Sequence, residues 1–233
     1  MRKLLLSLAL ILTLMVAVQG QQTAEEWRNK GNGFSMEGVY DLANKCYDKS
    51  LALDPNNIDV WGGKCYVLYS QDKYDEAIQA IDEAIKLDPN KTDSWCIKGN
   101  ALMEQGKFDE ATDAYEEAIR LDPNTAWMWV KKCSALAGQG KYDEAIKVCD
   151  EAIRIYTETN LINVGVAWTK KGDVLVMQGK YLEAIDAYDE SLMASPEYYF
   201  TWGNKGDALK ALGRTTEANV AYTKRDELES EKV

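Results

Sequence analysis

From Ser94 to Gln105 apolar residues return every three or four positions, and from Phe108 to Leu121 they do so again. That period matches the 3.6-residue turn of a helix with one buried face, so the pattern predicts two amphipathic α-helices. Gly106 falls between them, Asp109 and Glu110 place negative charge in the first turn of the second helix, where its dipole favours it, and Pro123 stops that helix. Gly99 and Ala111 let two antiparallel backbones come close, while Trp95, Leu102, Phe108 and Tyr115 fill the space around the contact. A hairpin of this size cannot bury both apolar faces alone and needs a neighbour.

The same unit recurs about six times between Ala24 and Ser230. Its anchoring tryptophan is Trp27, Trp61, Trp95, Trp129, Trp168 and Trp202, at intervals of 34, 34, 34, 39 and 34 residues. Four residues after each Trp stands a small residue: Gly31, Cys65, Gly99, Cys133, Gly172 and Gly206. The second helix repeats an alanine at Ala43, Ala77, Ala111, Ala145, Ala184 and Ala218, and the four prolines, Pro55, Pro89, Pro123 and Pro196, all fall at hairpin ends.

This combination of Trp, Gly, Ala, Tyr and Pro in fixed slots over 34 residues resembles the tetratricopeptide repeat, across residues 24 to 230. The resemblance implies an all-α fold, a right-handed α-solenoid of about six helix-turn-helix repeats. The expected division is 24–57, 58–91, 92–125, 126–164 with an insertion, 165–198, and 199–230 with a C-terminal cap. The tandem segments also look like arrays in exported archaeal proteins. In the first repeat Gly31 and Gly33 suggest an interrupted helix, and in the fourth Thr157 replaces the proline, so that TETNLINV must be a longer connection or an extension of the second helix.

Residues 1–20 carry Arg2 and Lys3 followed by an apolar or small run from Leu4 to Val18, with Val18-Gln19-Gly20 at a cleavage position. This reads as a signal peptide of a secreted or cell-surface protein, the alternative being an uncleaved membrane anchor. In that setting Asn90-Lys91-Thr92 is a glycosylation acceptor pattern on a loop.

Composition narrows the function. A formal net charge of -11 argues against a nucleic-acid partner, whose phosphates are held by Lys and Arg. There is no histidine, so the commonest general base and metal ligand is missing. Five cysteines form no zinc-ligand spacing; Cys65 and Cys133 occupy the small slot and read as core, with a Cys133–Cys149 disulfide left open, while Cys96 falls on the groove side. Asp109-Glu110 and Glu116-Glu117 are neighbours pointing to different sides of a helix, and no glycine-rich phosphate loop occurs. The expectation is a non-enzymatic chain with no metal, no catalytic residue and no small-molecule cofactor; a hydrolase is the remote alternative.

The resemblance further implies that the first helices line a groove for a peptide or partner protein. On that side fall Arg28, Asn32, Tyr66, Tyr69, Asn100, Met103, Trp127, Val130, Val176 and Met177. Arg28 and Asn32 match two positions of the family's carboxylate clamp, but Gly63, Asp93 and Ile97 break the rest, leaving an aromatic and apolar trough. A membrane-tethered assembly or chaperone-like factor is the second reading. Lys follows each Trp by three, from Lys30 to Lys205, and its stem is expected over the indole with its head on a neighbouring acid.

Overall fold

The computed structural model describes residues 22–159 and 163–231, and all regular structure among them is helical. The leader at 1–20 lies outside the described residues. The helices pair in chain order: α1 (Ala24–Met36) with α2 (Tyr40–Leu53), α3 (Ile58–Tyr69) with α4 (Tyr74–Leu87), α5 (Thr92–Glu104) with α6 (Phe108–Leu121), α7 (Ala126–Gly138) with α8 (Tyr142–Glu158), α9 (Val164–Met177) with α10 (Tyr181–Ala194), and α11 (Tyr199–Ala211) with α12 (Thr215–Ser230). At the first helix start, the Thr23 hydroxyl accepts from Glu26 N–H at 3.1 Å and the Glu26 carboxylate accepts from Thr23 N–H at 2.8 Å, a reciprocal cap. The turn inside each hairpin carries one left-handed residue, a glycine in five and Asp72 (φ 58°) in the other.

The described residues form two units, divided between Pro89 and Asn90. In the first, α2 packs on α3 and α1 also reaches α3; in the second, each helix from α5 to α12 packs on the next, and α9 touches both α7 and α11. Within each unit the hairpins therefore stack as repeats of an α-solenoid. The repeated second-helix alanines are buried without exception. α1 runs unbroken through Gly31 and Gly33, contrary to expectation, because Gly31 is buried beneath the Tyr47 ring rather than acting as a break. The insertion after the fourth repeat is partly helix: with no proline to stop it, α8 continues to Glu158.

Two ties recur between successive hairpins. The indole N–H of Trp61, Trp129 and Trp202 donates to the carbonyl of Pro55, Pro123 and Pro196 at 2.9, 3.0 and 3.0 Å. Lys64, Lys132, Lys171 and Lys205 pair with Asp48, Glu116, Asp150 and Asp189 of the preceding second helix. The same lysines lie 5.1 to 5.9 Å from the centroids of their own tryptophans. The lysine ladder thus serves as inter-repeat stitching, with stems over rings and heads on acids.

Cys133 and Cys149 form a disulfide with a Cα–Cα distance of 5.6 Å, inside the fourth hairpin. Cys46, Cys65 and Cys96 are reduced and buried.

Candidate protein-binding face

On the first helix of each hairpin, the residues two before, five after and nine after the Trp are spaced by seven and four, and so share one face. The position two before is exposed in every hairpin: Glu25, Asp59, Asp93, Trp127, Val166 and Phe200. Within the second unit this lane changes character after Asp93, and on α7, α9 and α11 it carries three apolar side chains, with Trp127 and Val166 each 39% exposed and Phe200 68%. Met177, nine after its Trp, adds to the exposed apolar surface of α9. In the first unit the corresponding feature is Tyr66, 56% exposed, edge-on to Tyr40 at 6.5 Å.

The position directly after the Trp is turned inward. Val130 is only 8% exposed and packs with Ala126, Ala152, Ile155 and Ala167. Cys96 is 2% exposed and packs with Ala118, Ile119 and Met128. Both were expected on the groove, and both belong to the core, because the second helix of the same hairpin and the first helix of the next close over that slot. Arg28, in the same slot of α1, is half-buried and pairs with Glu25 at 3.3 Å. Tyr69, Met103 and Val176 are half-buried, Tyr69 edge-on to Tyr74 at 5.4 Å and Val176 against the core of the last two hairpins.

Asn32 and Asn100 hold their own hairpins together. Their side-chain oxygens accept the hydroxyl hydrogens of Tyr47 and Tyr115, each at 2.9 Å. Asp173 and Asp207, in the same slot, accept those of Tyr188 at 3.0 Å and Tyr222 at 2.8 Å. Burial and the adjacent Asp173 carboxylate hold the Tyr188 hydroxyl well above the ordinary phenol range.

Val166 and Phe200 are not among the groove residues expected from the sequence. They rim a pocket of about 410 Å³ between α9 and α11, completed by Tyr198, Tyr199, Thr169 and Thr201. The available signal was the change at one slot from Asp93 to Trp127, Val166 and Phe200.

Burial pushes the Cys65 and Cys96 thiols up to about 12, which keeps them protonated and poor nucleophiles. Among the described residues, no group of three Cys, Asp or Glu converges as a metal site would require.

A family model described as tetratricopeptide repeat matches residues 98–158, and one described as subunit 3 of the anaphase-promoting complex, cyclosome, matches residues 36–118. The chain's matched hairpins are tetratricopeptide repeats, and its fold is that of a tetratricopeptide-repeat solenoid. Solved repeat proteins share its fold. YrrB, described as a TPR protein with an unusual peptide-binding site, is 20% identical, with 81% of this chain and 94% of that chain covered and a TM-score of 0.63. The C-terminal part of a TPR repeat-containing protein from Cytophaga hutchinsonii is also 20% identical, covering 89% and 80%, with a TM-score of 0.68. A thermophilic TPR protein from Thermus thermophilus is 14% identical, covering 80% and 99%, with a TM-score of 0.59. No curated protein matches this repeat protein in sequence.

Proposed function

We propose that this tetratricopeptide-repeat protein is a non-enzymatic scaffold that captures an extended segment of a partner protein along its first helices. The observation that carries the reading is the apolar lane of Trp127, Val166 and Phe200 on the neighbouring helices α7, α9 and α11. Large apolar side chains left in water along one face are typical of interaction surfaces, and aromatic residues supply much of the binding energy there. The description of YrrB as a peptide-binding repeat protein agrees with it.

We place the protein outside the membrane. Two features support export: the apolar leader at 1–20, and the Cys133–Cys149 disulfide, a bond that persists in oxidising compartments. N-terminal sequencing of the native protein tests this. A mature start at Gln21 supports secretion, whereas a retained Met1 favours the membrane-anchored reading.

For capture, the immobilised full chain is compared with a Trp127→Ala, Val166→Ala, Phe200→Ala variant in pull-downs from the native extracellular fraction. The triple variant is expected to lose capture of the specific partner with its helical circular dichroism unchanged, since all three side chains are exposed. Capture retained at full strength would move the interaction off this face.

A further inference from the structure

We infer that the pocket between α9 and α11 takes one uncharged apolar side chain, of the leucine or phenylalanine kind, from the captured segment; the inference rests on the capture reading above. Its volume of about 410 Å³ lies in the range of ligand sites, about 300 to 1,000 Å³. Its rim is apolar: Val166 on one side, and on the other Phe200, whose ring is tilted against that of Tyr199 at a centroid distance of 4.0 Å.

The threonine hydroxyls and the Lys170–Asp173 pair of the pocket are already hydrogen-bonded. The Ser191 hydroxyl donates to the Gly165 carbonyl at 2.8 Å, so it accepts from Thr169 at 2.7 Å. Thr169, having spent its proton, accepts from Thr201 at 2.8 Å. The relay uses the hydroxyl protons of Ser191, Thr169 and Thr201. Asp173 is likewise engaged, accepting from Tyr188 and from the Asn204 amide at 2.9 Å through one oxygen and from Lys170 at 3.0 Å through the other. The two charges of the pocket therefore cancel.

Charge complementarity then selects the occupant. An ammonium entering the pocket meets the like charge of Lys170 and a carboxylate that of Asp173, and because the pair is neutral as a whole, neither gains a net opposite charge for the water it gives up. A neutral apolar side chain breaks no hydrogen bond and removes the Val166 and Phe200 surfaces from water. This differs from capture of an acidic tail, for which the clamp residues are incomplete.

The test uses the full chain with labelled Val, Thr and Met methyl groups, titrated in NMR with four nine-residue peptides differing only in a central Leu, Phe, Lys or Glu. The expected result is movement of the Val166, Thr169 and Thr201 methyl signals with the Leu and Phe peptides, at affinities about tenfold or more above those of the Lys and Glu peptides. Phe200→Ala, whose exposed ring is not needed for folding, should weaken the Leu and Phe peptides about tenfold. Equal responses to a charged peptide, or no effect of Phe200→Ala, overturn the inference. Movement confined to the Met103 and Met177 methyls overturns this pocket and leaves the capture reading standing. If no first-helix methyl moves, both fall.

Discussion

Where the second helix of a hairpin carries tyrosine twenty residues after the Trp, the first carries glycine opposite its ring and an Asn or Asp one residue later. The sets are Gly31–Asn32–Tyr47, Gly99–Asn100–Tyr115, Gly172–Asp173–Tyr188 and Gly206–Asp207–Tyr222. A Cβ on any of these glycines would stand 2.4 to 2.6 Å from the tyrosine ring, too close for any real contact. The other two hairpins fill the two slots differently, with Cys65 and Ile81, both buried, and with the Cys133–Cys149 disulfide, and neither has Asn or Asp in the next slot. Glycine, ring and acceptor thus form one unit. Gly99→Ala shows how strongly: helix propensity favours alanine by up to about 1 kcal/mol, but forcing a methyl against a fully buried ring costs about 1–3 kcal/mol, so the change should destabilise. Adding Tyr115→Ile removes the obstacle and should make the same alanine neutral or favourable relative to Tyr115→Ile alone. Urea unfolding of the two single variants and the double variant measures this, and additive effects would disprove the coupling.

At the scale of the element, the second helices were readable because each buries a single stripe. In α6 the buried set is Ala111, Thr112, Ala114, Tyr115, Ala118 and Ile119, one face with acids opposite. The first helices are enclosed on several sides. α7 buries Ala126, Met128, Val130, Cys133, Ala135, Leu136 and Ala137, and a helix covered nearly all round loses the contrast that marks its inner face. That is why Val130 and Cys96 could be mistaken for groove residues, and why helix ends, marked by Pro and Gly, were plainer in the sequence than the binding lane. The pocket by Phe200 needed α9 and α11 side by side, a relation no spacing within one helix contains. The fourth hairpin has its own fastening: it lacks a proline at its end, and it joins α7 to α8 through cysteines 16 residues apart. Closing a loop of that length removes unfolded-chain entropy worth about 3 kcal/mol. A Cys133→Ala, Cys149→Ala variant should therefore unfold at a distinctly lower temperature, with amide exchange rising in α7 and α8 before α11 and α12. An unchanged melting curve would show the bond to be idle.

Across the whole molecule, acids outnumber bases 38 to 27, yet four of the lysines that follow the tryptophans, Lys64, Lys132, Lys171 and Lys205, are held in pairs between hairpins. Such pairs, with their acids about half exposed, contribute at most about 1 kcal/mol each, so stability rests mainly on buried rings, alanines and thiols. Those same buried groups set a limit on the alkaline side, and they occur in both units. Burial pushes the Cys65 and Cys96 thiols up to about 12 from an ordinary 9.0, and it raises the hydroxyls of Tyr47, Tyr156 and Tyr188 above their ordinary 10.0. The sign follows from proton counting. Between about pH 9 and 12 the unfolded chain gives up thiol protons that the folded chain keeps, and above about 10 it gives up phenol protons as well. The folded state binds more protons in that window, so its stability is intact below pH 9 and falls as the pH rises through it. Thermal unfolding followed by circular dichroism at pH 8 and 10.5 should show a lower midpoint at the higher pH. Tyr188→Phe, which keeps the ring over Gly172 but removes one ionising hydroxyl, should lower the midpoint at pH 8 through the lost Asp173 bond while shrinking the difference between the two pH values. If the variant showed the same difference as the parent chain, the buried phenol would not be a source of the alkaline loss.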